Sequence, residues 1–215
     1  MTVSLTRPTS TLDWLQRAAA DPIARHPKHL PETLDFRQHA TVFLSTYHAA
    51  PAGTEMGFPL VLEGDHLTFP LELAAQARYA PFIGKGRFVG TFHVHPPAPD
   101  GSPAPFFDPQ DLANTLRSDN AGFLDLLLAG DRLYALVRSN PYVYISAHHV
   151  NRNPLLLQEQ HSEMLRRRSK DAADPERPNH YRKASLYWFQ RYQLALYEGD
   201  PQEPLKRTFT PEGRW

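Results

Sequence analysis

The stretch Gly86–His95, GRFVGTFHVH, decides how the rest of the chain is read. Its residues alternate as a β-strand requires: Phe88, Gly90, Phe92 and Val94 on one side, Val89, Thr91, His93 and His95 on the other. Pro96 ends the strand. His93 and His95, two apart, project from one face, a spacing able to grip a single metal ion. By itself, an H-x-H pair more often marks two sheet-edge histidines that bind nothing.

Working downstream, a proline-rich loop follows Pro96, and Asp108-Pro109 then opens a helix, with an N-cap acid and proline at the first helical position. Leu112 and Leu116 share one face of that helix. Further strands are expected at Phe123–Ala129, Leu133–Val137 and Tyr142–Ser146. Beyond Val150, Pro154–Arg168 and Ala184–Glu198 read as helices, separated by the polar segment Asp171–Asn179. The tail from Gly199 to Trp215 has no strong periodicity.

Upstream, Thr11 to Ala20 reads as a helix with Leu12, Leu15 and Ala19 at helical spacing. A second helix is expected from Glu32 to His48, with Phe36, Ala40, Phe43, Leu44 and Tyr47 largely on one face. Phe58–Glu63 and His66–Phe69 read as strands of a hairpin closed by Gly64-Asp65. The expected fold is a mixed α/β (α+β) sheet flanked by helices. Residues 1–31 form an N-terminal helix and connection, 32–150 the main domain, and 151–215 a helical C-terminal extension.

Composition narrows the function. With 215 residues, 41% hydrophobic and 21% charged, the chain suits a globular domain with a real core. It has no apolar run long enough to cross a bilayer and no secretory signal pattern at its start. Zero cysteines exclude disulfides, thiolate metal sites and a cysteine nucleophile, and fit a cytoplasmic location. The 23 Lys and Arg balance 23 Asp and Glu, so the basic excess of a nucleic-acid binder is missing. The local cluster Arg166, Arg167, Arg168 and Lys170 reads as a solvated helix face.

Asp111, in the first turn of the helix after the loop, is placed where a carboxylate is favoured and can face back toward the strand end. Two imidazoles and one carboxylate suit Zn²⁺ with a fourth position open, and are also compatible with non-haem Fe(II).

Three segments in order resemble a known family. Glu55-Met-Gly with Pro59-Leu-Val-Leu-Glu-Gly is similar to the E-x-G-G-x-L-x-G segment of JAMM (MPN-plus, JAB1-type) metalloproteases. GTFHVHP, from Gly90 to Pro96, resembles that family's strand ending in H-x-H-P. Phe106-Phe-Asp-Pro-Gln-Asp-Leu112 resembles its F-x-S-x-x-D-L helix start. The resemblance spans about Glu32 to Ala147, and it implies a JAB1/MPN-type sheet with cytidine-deaminase-like layering. It implies one Zn²⁺ per chain on His93, His95 and Asp111, with Glu55 handling the proton of the attacking water. Glu63, the competing acid, closes a strand before a turn, which favours Glu55. The implied activity is hydrolysis of a peptide or isopeptide bond in a protein substrate, with the tail of a ubiquitin-like protein as the candidate site.

Asp108 stands where the family carries a serine that helps hold the oxyanion, and an ionised carboxylate there would repel that charge. It can act instead as the N-cap. The loop is also longer than the family's, and Gly57-Phe58-Pro59 interrupts the usual Gly-Gly pair. An alternative register makes Asp108 the ligand, but Phe106-Phe107 before it and Asp111-Leu112 favour Asp111. Ser102 reads as a loop residue, and His148 and His149 as ordinary surface or core histidines.

A metal-free scaffold of the same fold is the competing class, although such members typically lack these ligands. The missing cysteine ligands argue against a zinc nucleobase deaminase. Leu186, Tyr187, Trp188, Phe189, Tyr192 and Leu196 offer apolar surface, either for packing on the domain or for a homodimer or partner contact.

Overall fold

The computed structural model describes residues 10–70, 82–83, 85–97, 106–117, 120–143, 159, 163 and 177–212. Helix α1 is Thr11–Ala20, as read from its periodicity. Ser10 caps it by accepting from the Asp13 N–H at 3.1 Å. Its inward face carries Trp14 and Leu15, both buried, and the Trp14 indole N–H donates to the Ala24 carbonyl at 3.1 Å. Asp21 then caps a 3₁₀ turn, Pro22–Arg25.

The expected helix from Glu32 to His48 starts later than its apolar pattern suggested. Thr33–Leu34 is a short strand, β1, a 3₁₀ turn covers Arg37–His39, and helix α2 is Ala40–Ala49. Leu34 and Phe36 are buried all the same. The apolar spacing marked the buried side, while pairing with a distant strand decided the backbone.

Strands β2 (Met56–Glu63) and β3 (His66–Thr68) form the expected hairpin, with Glu63 opposite His66. Gly64 at the first turn position has φ +62°, which glycine adopts without a Cβ penalty. A second hairpin joins β6 (Leu124–Ala129) to β7 (Arg132–Arg138) through another Gly-Asp pair, with Gly130 at φ +63°. Between the hairpins lie β4 (Phe82–Ile83), β5 (Gly86–His95) and helix α3 (Pro109–Leu116). Strand β5 runs antiparallel to β2 and β4 but parallel to β6.

Among the described residues after Val150, the chain is not wholly the helical extension expected. Helix α4 is Arg177–Arg191, and strands β8 (Leu194–Gly199) and β9 (Leu205–Phe209) follow it. Gln193 stops the helix by taking φ 56°, while its carbonyl accepts from the Ser139 N–H and hydroxyl at 3.0 and 2.6 Å. Leu194, Ala195, Leu196 and Tyr197 are then fully buried. A run apolar on both sides belongs to a strand covered on both faces, and helical periodicity cannot distinguish it from a buried helix. Of the strand expected at Tyr142–Ser146, Tyr142 lies in an exposed turn and 144–146 fall outside the described residues. The helix read at Pro154–Arg168 also falls outside them, apart from Glu159 and Glu163.

Among the described residues the strands form one mixed α+β sheet of nine, ordered β1-β9-β8-β7-β6-β5-β2-β3, with β4 also on β5. Its centre is therefore built from both sides of Val150. Trp14, Phe43, Phe92, Val94, Leu126 and Tyr197 belong to the core on the α1 and α2 face. Phe107, Leu112, Leu127, Trp188, Phe189 and Leu196 belong to the core on the α3 and α4 face. Most of the apolar surface expected on the C-terminal segment thus packs against the sheet, with Tyr187 left exposed.

The alternation expected along β5 holds from Thr91 to His95 and breaks below Gly90. The register against β2 shifts between Leu60 and Val61, so Leu60 faces Gly90 while Val61 faces Phe88. This bulge turns Val89 toward the α1 side, in the same core as Phe92 and Val94, and sends Phe88 to pack with Val61. Gly90 itself allows β5 and β6 to meet, because a Cβ there would lie 1.6 Å from the Leu124 carbonyl oxygen.

Candidate metal centre

His93 and His95 project from β5 on the face covered by α3, and α3 brings Asp111 to them. The cap of that helix sets the approach. The Asp108 carboxylate Oδ1 accepts from the Gln110 and Asp111 N–H groups at 2.6 and 2.8 Å. Asp111 Oδ2 accepts from the Asp108 N–H at 2.9 Å, completing a capping box. Asp108 is therefore the N-cap of α3, the alternative role read for it from the sequence. Burial and then the Asp111 charge push its carboxyl above the usual carboxylate range, partly offset by the two N–H donors and His95.

Among the described residues, ligand atoms of His93, His95 and Asp111 lie within 4.8 Å of one another. His93 Nε2 is 3.2 Å from Asp111 Oδ1, and His95 Nε2 is 3.5 Å from Asp111 Oδ2. The side chains are 13%, 2% and 7% exposed respectively. Glu55 enters from the loop before β2, 57% exposed, with Oε1 3.2 Å from His95 Nε2. Buried His95 and Asp111 and the half-buried His93 therefore sit beneath one solvent-reaching acid. Gly57 makes room for this on β2: it pairs with His93, and a Cβ there would come within 2.9 Å of the His93 Cβ and 2.6 Å of the Phe92 carbonyl oxygen.

The donor set fits a divalent cation with borderline preferences. His93 Nε2 is buried without a well-directed hydrogen bond, as a nitrogen reserved for a metal would be. In the metal-free protein burial disfavours a charged His93, but Asp111 and Asp125 outweigh it and hold the imidazole pKa well above its ordinary value. A metal would replace that proton.

Asp125 is the residue that sequence reasoning missed. It is buried on β6, two register positions from the partner of His93, and faces Thr91 in the parallel pairing. Its Oδ1 accepts from the Thr91 hydroxyl at 2.8 Å and lies 3.3 Å from His93 Nδ1. Its Oδ2 accepts from the Thr115 hydroxyl at 2.8 Å. Burial raises a carboxyl pKa, yet His93 and the two hydroxyls hold Asp125 below the usual range. The available signal was a lone acid inside LDLLLA, since a carboxylate in a fully buried strand must find partners.

Glu63, the other acid considered, ends β2 with an exposed side chain opposite His66. Ser102, His148 and His149 fall outside the described residues, as does most of the proline-rich loop. No helix among the described residues is long and apolar enough to cross a membrane. No family model, curated protein or solved structure matches the chain.

Proposed function

We propose that this protein is a zinc-dependent peptidase or isopeptidase of the JAMM type, built on a JAB1/MPN-like sheet. The observation that carries the reading is the meeting of His93, His95 and Asp111 within 4.8 Å, with Glu55 beside them. Zinc on those three residues would supply Lewis-acid polarisation of a carbonyl and acidify a water in the open position. The exposed Glu55 carboxylate would accept the proton of the attacking water and return it to the leaving amine, a reading supported by its position 3.2 Å from His95 Nε2. The fit to a ubiquitin-like tail as substrate rests on the resemblance alone.

Asp108 favours a second reading, a metal-holding module with slow or no turnover. Its Oδ1 is committed to capping α3, so it supplies none of the hydroxyl donation expected of a serine, and a carboxylate there opposes oxyanion charge.

Elemental analysis tests the first reading. About one zinc per chain is expected, retained in Asp108→Ser and lost in His93→Ala, His95→Ala and Asp111→Ala. With zinc present, cleavage of linear and isopeptide-linked ubiquitin-like fusions should disappear in Glu55→Gln. Zinc without cleavage in wild type, and cleavage appearing in Asp108→Ser, would favour the second reading. A wild type that takes up no zinc overturns both.

A further inference from the structure

We propose that Asp125 is a positioning residue for the metal centre: clamped by Thr91 and Thr115, it sets the tautomer and ring orientation of His93. The inference rests on the metal-binding reading above. The two carboxylate oxygens are held from different elements. Oδ1 accepts from Thr91 on β5, and Oδ2 accepts from Thr115 on α3, each at 2.8 Å. A carboxylate fixed at both oxygens cannot turn to follow an imidazole, so the imidazole must conform to it.

His93 Nδ1 lies 3.3 Å from Oδ1. An ionised carboxylate only accepts, so the proton shared with it resides on Nδ1. The other ring nitrogen, Nε2, lies on the side of Asp111, 3.2 Å from Oδ1 of that residue, and is the nitrogen that would give up its proton to a metal. A histidine that donates one N–H to a carboxylate while the other nitrogen faces the metal is more basic and better oriented as a ligand.

The placement follows from the fold. Thr91 and His93 are two apart on one face of β5, and Thr91 is the register partner of Asp125. Asp111 and Thr115 are one helical turn apart on α3. The ligands and the clamp are therefore carried in pairs on the same two elements, and displacing either element moves both. A buried polar link that merely fastened α3 to the sheet would need the two threonine bonds but not the His93 contact.

The test compares wild type with Asp125→Asn and Asp125→Val. Zinc affinity is measured by competition with a chromophoric chelator, and histidine tautomers by long-range ¹H–¹⁵N correlation on the zinc-loaded protein. Asparagine keeps an oxygen for Nδ1–H and can donate its amide to the Thr115 hydroxyl, so its zinc affinity should fall by less than about tenfold. Valine should lose about 10–100-fold. In zinc-loaded wild type, His93 should be protonated on Nδ1 and metal-bound through Nε2. Folded Asp125→Val with wild-type zinc affinity, or zinc on Nδ1 of His93, overturns the inference. If Asp125→Val does not fold, the wild-type tautomer decides. Should the His93, His95 and Asp111 variants lose zinc while folded Asp125→Val keeps it, the positioning role fails and the metal centre stands. If wild type binds no zinc, both fail together.

Discussion

Strands β5 and β6 bury ionisable groups at both ends, and the two ends treat them differently. At the His95 end, His93 sits between Asp111 and Asp125, and the latter is satisfied by two hydroxyls. At the Gly86 end, Arg25 and Arg138 are buried, and exposed Arg87 adds a third positive charge. Arg25 lies 4.9 Å from the Phe123 ring centroid, and Arg138 donates to the Asn120 carbonyl at 3.0 Å. Burial, then Arg138 and Arg87, lower the Arg25 pKa to about 10 against the opposing pull of Asp21. One end is an arranged acid-base network, whereas the other is charge held by ring and carbonyl contacts. The comparison teaches that burial alone does not mark a site; burial with convergent, complementary partners does.

Gly90 lies between the ends, and its substitution should affect both at once. The 1.6 Å approach to the Leu124 carbonyl leaves no room for a methyl group. Gly90→Ala should cost about 4 kcal/mol or more, seen as loss of a cooperative thermal transition. A wild-type melting curve would mean that the strands separate at little cost.

The contrast itself is tested by one substitution at each end, measured by urea unfolding with chelator present. Asp125→Val strips partners from the buried Thr115 hydroxyl, the half-buried Thr91 hydroxyl and His93, and should cost about 3 kcal/mol. Arg25→Met removes a poorly compensated buried charge, and should lie within about 1 kcal/mol of wild type or above it. Equal losses at the two ends would erase the distinction.

The ends should also differ with pH. The raised His93 pKa contributes stability that is complete below about pH 6.5 and declines as pH rises toward the folded value. The depressed Asp125 pKa contributes stability present above about pH 3.9 and lost as pH falls through its folded value. Without metal, the stability difference between wild type and His93→Gln should therefore shrink from pH 6 to pH 8, by up to about 1.4 kcal/mol per unit. A constant difference would mean that His93 is not held protonated. Arg25→Met should show no such trend in this range.

The smallest effect is expected at the cap of α3. Serine and aspartate are comparable N-caps, so Asp108→Ser should change stability by less than about 0.5 kcal/mol while leaving zinc content intact. A loss of zinc would mean that Asp108, rather than the cap geometry alone, is needed at the centre.

Much of this was legible because the signals were local. Ser10, Gly64 and Asp108-Pro109 each mark an element boundary within a few residues, and β5 displays its two histidines by alternation. The ligand group followed from those elements. What escaped was settled at long range. Asp125 draws its meaning from Thr91, 34 residues away, and from Thr115, 10 residues away. Leu194–Tyr197 became a strand because β7 pairs along it, and Thr33–Leu34 because β9 does. The bulge at Val89 has no mark in its own strand beyond Gly90.

The late position of β8 and β9 has a consequence for the order of synthesis. His93, His95, Asp111, Asp125 and Glu55 all precede β7 in the chain, yet the edge of β7 gains its neighbour only when residues 194–199 have been made. Because chains emerge from the N-terminus, the parts of the candidate metal centre leave the ribosome before the sheet beside them is closed. During that interval a long apolar edge at β7 stands open to other chains. A metal ion held by His93, His95 and Asp111 at that stage would tie β5 to α3 while the second half of the protein was still being made.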